Sequence, residues 1–191
     1  MLEPGPRTPP ASGAALPGTS DPAQTDVIAD LVARARITDL IADYAQVIDW
    51  LDWDRLDSLF WPEAQFDFGM FKGDFGAYRD FVKALEEGYS RRLHMFTLPS
   101  IRVSSEEARI DVGCVIVCRT AEPAPGSDAT FWGRYLLGAQ QRGGEWRLSE
   151  LTYVLNLGGV NPRDSDDTGG PMNLGDDLSI AHPYAKKLSL P

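Results

Sequence analysis

The sequence predicts an α+β domain: a cone-shaped barrel in which a curved mixed or antiparallel sheet wraps around N-terminal helices. Three observations predict it. Apolar residues recur at steps of three and four through residues 26–51 and again through 75–89. From His94 onward the spacing changes to period two. Turn-forming residues separate the alternating runs at 104–107, 121–128 and 142–145. Helices first and long strands afterwards define the α+β class. Such strands curved around a helix leave a cone with one open mouth, a natural small-molecule pocket.

Each element has its own justification. In 26–51, Ile28, Leu31 and Val32 form one apolar group. Ile37, Leu40, Ile41, Tyr44, Val47, Ile48 and Leu51 form a second, so one stripe faces a core. Thr25 is a candidate N-cap, and the small residues 33–35 are a candidate break into two helices. A short helix is predicted at 53–60, with Leu56 and Phe60 inward and Pro62 after it. Residues 63–70 alternate, with Ala64, Phe66 and Phe68 on one face, as in a strand. A helix follows at 75–89 through Tyr78, Phe81, Val82 and Leu85. Strands are predicted at 94–103, 108–120, 130–141 and 146–157, the last two joined by a hairpin at Gly143 and Gly144.

Domain limits follow from composition. Residues 1–24 hold six of the 14 prolines among Gly, Ser and Ala, which predicts a disordered tail. The folded domain is expected over 25–157. Residues 158–191 read as an extended tail that packs back towards the pocket. The chain has 191 residues and a net charge of −10, and this acidity disfavours binding to nucleic acid. No apolar run reaches the roughly 20 residues of a membrane span. Two cysteines and two histidines rule out a disulfide framework and a multi-Cys/His metal site. With no secretion signal, a cytoplasmic location is expected. Cys114 and Cys118 share a face of one strand and read as small buried hydrophobes. The density of Trp and Phe suits a greasy pocket, and equally an ordinary core or subunit contact.

Three segments carry a resemblance: ITDLIADYAQVIDWLDWDRLDSLFWPEAQFDF, RRLHMFTLPSIRV and FWGRYLLGAQQRGGEWRLSELTYVLN. They resemble the SnoaL-like branch of the nuclear transport factor 2-like superfamily. That branch includes scytalone dehydratase, bile-acid 7α-dehydratases and a hexachlorocyclohexane dehydrochlorinase. The resemblance spans residues 26–157, about two thirds of the chain. It implies a catalytic pair at Asp49 and His94, with Tyr44 where the bile-acid enzymes carry a tyrosine. Other family positions differ. Ile48 and Phe68 stand where scytalone dehydratase has tyrosines, and its second His and its Asn align near Cys118 and at Tyr135. Val117 and Leu155 lie near where the bile-acid enzymes have an Asp and an Arg. The dyad is thus kept while the substrate-gripping groups differ.

The chemistry suits proton removal from carbon. Imidazole titrates near neutral pH, and a carboxylate on its far nitrogen fixes the tautomer and stabilises the imidazolium that forms. A tyrosine hydroxyl can polarise a carbonyl. This implies a cofactor-independent dehydratase, isomerase or cyclase, with no metal. Its expected ligand is a hydrophobic small molecule such as a polyketide, terpenoid or steroid-like compound. Trp53, Phe68, Phe96, Tyr135 and Tyr153 are the expected substrate-binding residues. A homodimer or homotrimer is expected by analogy with the family.

Plainer readings stand beside these. His94 could be a packed or solvent-facing residue, Asp49 a solvated helix-end carboxylate, and Tyr44 a core tyrosine. The chain could be a non-catalytic binding or assembly subunit, like the small subunit of a ring-hydroxylating dioxygenase. An epoxide hydrolase would use Asp49, Asp111 and Arg134, but strand parity turns Arg134 to the far face of the sheet from Tyr135.

Overall fold

The computed structural model describes residues 22–120, 126–163, 172–175 and 177–188. The expectation of disorder over 1–24 therefore falls almost wholly outside the described residues. Helix α1 runs unbroken over Pro22–Asp49. The expected break at 33–35 does not occur: alanines are strong helix formers, and Arg34 pairs with Asp30 one turn back at 2.6 Å. Position 25 accordingly lies inside the helix, not at its start. Ala33, Ile37, Ile41, Tyr44, Val47 and Ile48 form its buried stripe. Ile28, Leu31 and Val32, expected to face the core, are exposed on the earlier turns.

The end of α1 is closed by a Schellman turn. Asp52 N–H donates to Val47 C=O at 2.9 Å and Leu51 N–H to Ile48 C=O at 3.3 Å. Leu51 takes the left-handed position usually given to glycine, with φ of 53°. Asp52 then caps helix α2 (Trp53–Leu59), accepting from Arg55 N–H at 3.2 Å.

The strands are β1 (Phe60–Asp67), β2 (Lys72–Asp74), β3 (Arg91–Phe96), β4 (Ser100–Ser104), β5 (Glu107–Thr120), β6 (Ser127–Arg142) and β7 (Glu145–Pro162). Helix α3 (Phe75–Glu86) sits between β2 and β3 and ends three residues earlier than its spacing predicts. The sheet order is β2-β1-β7-β6-β5-β3, with β4 also on β5. All pairs are antiparallel except β1 with β7. The sheet is thus mixed.

The single strand expected at 94–103 is two strands along one edge of β5. Residues 97–99 interrupt it. Thr97 takes over the ladder there: its N–H donates to Gly113 C=O at 2.9 Å and its Oγ1 accepts from Gly113 N–H at 3.1 Å. Pro99 has no N–H to continue the ladder. At the β6–β7 hairpin, Gly143 and Gly144 both have positive φ, 60° and 88°, as a tight primed turn requires.

Alternation decides which side chains enter the cone. On β5 the inward set is Ala108, Ile110, Val112, Cys114, Ile116 and Cys118, all buried. On β3, Arg92 and His94 are buried, and Leu93 and Met95 are exposed on the other face. The register His94↔Ile116 and Arg92↔Cys118 sets both against that inward row. Among the described residues, no helix is long and apolar enough to cross a membrane.

Candidate active site

The buried stripe of α1 carries Tyr44 and Ile48 into the cone and leaves Asp49 at the last helical position. His94 arrives from β3, on the edge of the sheet that packs on α1. The two meet. His94 Nδ1 lies 2.8 Å from Asp49 Oδ1, and the His94 backbone N–H lies 3.1 Å from both carboxylate oxygens. The side chains are 4% and 14% exposed. A carboxylate can only accept, so Nδ1 carries a proton, and in the neutral form of the ring the lone pair is on Nε2. An anion at a helix C-terminus is disfavoured by the helix dipole. The N–H groups of His94 offset this, and the same dipole would favour an imidazolium.

His94 opens into a cavity of about 240 Å³ whose walls are mostly apolar and aromatic. Of the eight residues singled out in the sequence, Tyr44, Phe68, His94, Tyr135 and Tyr153 line this cavity. Asp49 stands behind His94. Phe96 is one layer back, stacked on Tyr44 with centroids 6.4 Å apart. Trp53 is not among the lining residues; its indole N–H reaches out to Glu87 Oε1 at 3.3 Å. As the first residue of α2 it packs against the core from outside the cavity lining.

A tyrosine cluster forms part of the wall. Tyr44 and Tyr78 hydroxyls are 2.5 Å apart. Phe66 and Phe68 stack on Tyr78 with centroids 3.9 and 5.5 Å away. Burial pushes the hydroxyls of Tyr44, Tyr78 and Tyr135 well up, so they remain neutral donors. Burial also lifts Tyr153 to about 12, and among the described residues its hydroxyl has no hydrogen-bond partner. The thiols behave as buried hydrophobes: burial raises Cys114 to about 11 and Cys118 to about 12.

Sequence reasoning missed Tyr78, Glu86 and Arg92 as members of this region. Glu86 ends α3, is 5% exposed and lines the cavity. Arg92 lies next to it with its side chain 2% exposed. The Arg92 guanidinium donates to Glu86 C=O at 2.8 Å, Tyr89 C=O at 2.5 Å and Leu178 C=O at 3.1 Å. The signal was present. Tyr78, Val82 and Glu86 are each four apart, so a charged residue occupies the apolar stripe of α3. Arg92 likewise shares the parity of His94.

Other candidates lie elsewhere. Asp111 and Arg134 pair with each other at 2.8 Å on the exposed outer face, apart from Asp49. Trp61 sits under Arg142 and Arg147, 4.6 and 4.9 Å from its ring, and donates to Gln140 C=O at 3.1 Å. Trp50 meets the tail near His182, with ring centroids 6.4 Å apart. The described tail residues pack there and on Arg92; none of them lines the His94 cavity. Among the described residues no three His, Cys, Asp or Glu side chains form a metal-ligand group.

A curved sheet folded over a long helix, with a buried histidine held by a helix-end carboxylate at the base of an apolar cavity, defines a nuclear transport factor 2-like cone. The family is given by the sequence itself: residues 29–152 match the SnoaL-like domain, and the chain belongs to that family. No curated protein matches the chain by sequence. The fold is shared with solved structures. One is a candidate scytalone dehydratase from Novosphingobium aromaticivorans, at 18% identity, 75% of this chain, 97% of that one and a TM-score of 0.64. A second is the hexachlorocyclohexane dehydrochlorinase LinA-type3 from Novosphingobium barchaimii, at 19% identity, 74% and 98% coverage and a TM-score of 0.66. A third is the β subunit of a candidate aromatic-ring-hydroxylating dioxygenase from Novosphingobium aromaticivorans, at 18% identity, 68% and 92% coverage and a TM-score of 0.55.

Proposed function

We propose that the chain is a cofactor-independent lyase or isomerase that removes a proton from a carbon next to a carbonyl in a hydrophobic small molecule. His94 is the base, through Nε2. Asp49 is its positioning residue. Tyr44 acts through the tyrosine cluster that faces the same cavity. The observation that carries this reading is the 2.8 Å contact between His94 Nδ1 and Asp49 Oδ1, beside an apolar cavity and away from bulk water. A histidine with only a packing role has no need of a carboxylate that holds both its ring and its backbone. Scytalone dehydratase-like and dehydrochlorinase structures among the fold relatives support an elimination-type reaction. A polyketide, terpenoid or steroid-like compound matches the aromatic walls.

The test uses 2-tetralone, a compact two-ring ketone with acidic C–H groups. Nuclear magnetic resonance follows deuterium entering its α-carbons from heavy water. Catalysed exchange that is lost in His94→Ala supports the reading. Exchange at the buffer rate, or exchange indifferent to His94, overturns it.

A homo-oligomer is part of the same proposal. The register Met95↔Val115↔Trp132↔Leu157 lays an apolar row across the outer sheet face, with Met95, Trp132 and Leu157 exposed by 47%, 44% and 68%. Burying such a row is what a second copy would do. Sedimentation should give a dimer or trimer, and Trp132→Lys should dissociate it. A monomeric wild-type chain would exclude it.

A further inference from the structure

The mechanism above leaves one buried carboxyl unused. Glu86 is 5% exposed and lines the cavity beside His94, and among the described residues its Oε2 has no hydrogen-bond partner. Arg92 Nε is 3.5 Å from that oxygen but out of alignment for a hydrogen bond, and the Nη groups of Arg92 are taken by three backbone carbonyls. Among the described residues, then, Oε2 accepts no hydrogen bond, and the Arg92 guanidinium faces it only as an ion-pair partner at 3.5 Å.

Among the described residues, four side chains set the charge around it. Asp49 comes from α1, Arg92 and His94 from β3, and Glu86 from α3. Neutral side chains complete the surround: Tyr44 from α1, Tyr78 from α3, Tyr89 after it, Cys118 from β5 and Tyr135 from β6. Arg92 keeps its charge. Two carboxylates against one guanidinium leave the cluster one positive charge short of neutrality. One proton makes up the difference, and it can sit on Glu86 or on His94. Buried clusters of net charge are costly, so the two sites share that proton as a coupled pair. Burial raises the Glu86 carboxyl above its ordinary value, so a proton rests on it more readily than on an exposed carboxylate.

We propose that Glu86 is the acid partner of His94, a neutral carboxylic acid that donates its proton to a ligand oxygen inside the cavity. This rests on the base role given to His94 above. In the step, His94 Nε2 takes the proton from the α-carbon. The C–H electron pair becomes the C=C bond of the enol. The carbonyl π pair moves to oxygen, which takes the proton of Glu86. The products are enol, imidazolium and carboxylate; the reverse steps restore the resting state. Glu86 becomes negative as His94 becomes positive, so the net charge of the cluster does not change. The ligand class follows: an apolar ring body bearing one hydrogen-bond-accepting oxygen at the Glu86 end.

Infrared difference spectroscopy of the full chain tests this without relying on turnover. At neutral pH the wild type should show a protonated carboxylic acid band that is absent from Glu86→Gln. Binding of 2-tetralone should shift that band, and tetralin, which has the same body and no oxygen, should leave it unmoved. Where Glu86→Gln fails to fold, Glu86→Asp serves instead, and its band should move rather than vanish. No acid band, a band unmoved by the ketone, or no saturable binding of the ketone overturns the proposal. In the exchange assay Glu86→Gln should be slower by about 10²–10⁴, and an unchanged rate also overturns it. If wild type and His94→Ala exchange equally while the ketone still shifts the Glu86 band, the base role of His94 fails and the donor role of Glu86 stands.

Discussion

Asp49 holds His94 twice, by its ring at 2.8 Å and by its backbone N–H at 3.1 Å. The two contacts do different things. The backbone contact ties the end of α1 to the first strand of the sheet edge, and so belongs to the fold. The ring contact orients an imidazole towards a cavity, and so belongs to the proposed chemistry. Asp49→Asn separates them. The amide oxygen can still accept from the backbone, but it does not stabilise an imidazolium as a carboxylate does. We expect a modest stability loss of about 1–2 kcal/mol with a much larger loss of exchange activity, measured by urea unfolding and the deuterium assay on one preparation.

Leu51 sets the position of Asp49 two residues earlier. Its φ of 53° is a conformation that costs a non-glycine residue about 1 kcal/mol. Leu51→Ala keeps the strain, whereas Leu51→Gly relieves it. The glycine variant should therefore be more stable than the alanine variant by about 1 kcal/mol in chemical denaturation, with the Asp49–His94 contact unaffected.

The Tyr44–Tyr78 hydroxyl pair is buried, so removing one partner strands the other. Tyr44→Phe and Tyr78→Phe should each cost roughly 1–2 kcal/mol. The double variant should cost less than their sum, because it leaves no orphaned hydroxyl. A double-mutant cycle of unfolding free energies reads the coupling. Additive losses would mean the two hydroxyls are independently satisfied.

Gly133 lies at a register shift between β6 and β7. A Cβ there would meet Val154 C=O at 2.5 Å and Tyr153 Oη at 2.7 Å. Gly133→Ala must push Tyr153, a cavity wall, or open the two strands. We expect a loss of about 1–3 kcal/mol and weaker 2-tetralone binding, read by calorimetry.

Two carboxyls give opposite pH dependence. Hydrogen bonds from Arg119 hold Asp128 below its ordinary 3.8. Its stabilisation is present above that value and is lost as pH falls through the folded-state value. Asp128→Asn should therefore destabilise by about 1 kcal/mol at neutral pH and have little effect in acid. Burial holds Glu86 above its ordinary 4.5. Its contribution is full below that value and lost as pH rises through the folded-state value. The stability of wild type relative to Glu86→Gln should then fall with increasing pH.

The main elements were legible because their periods are clean. Ile37, Ile41, Tyr44 and Ile48 mark one helix face, and the β5 alternation from Ala108 to Cys118 is unbroken. His94 and Asp49 were legible only through family resemblance, since neither spacing nor composition brings residues 45 apart into contact. What stayed hidden depends on tertiary context. Thr97 replaces a ladder contact with its side chain, which alternation does not register. Glu86 shows itself as a charge on an apolar helix stripe, but its meaning appears only when Arg92 and His94 arrive from β3. Trp53 belongs to the aromatic residues of the pocket segments, yet it packs against the core without lining the cavity, a distinction only the fold makes.

The most direct measurement is deuterium incorporation into the α-carbons of 2-tetralone by wild type and His94→Ala, with folding of both checked by circular dichroism. The account predicts catalysed exchange by wild type and a loss of about 10²–10⁴ in the folded variant. Equal rates in the two proteins would contradict it and leave His94 a structural residue of a binding cone.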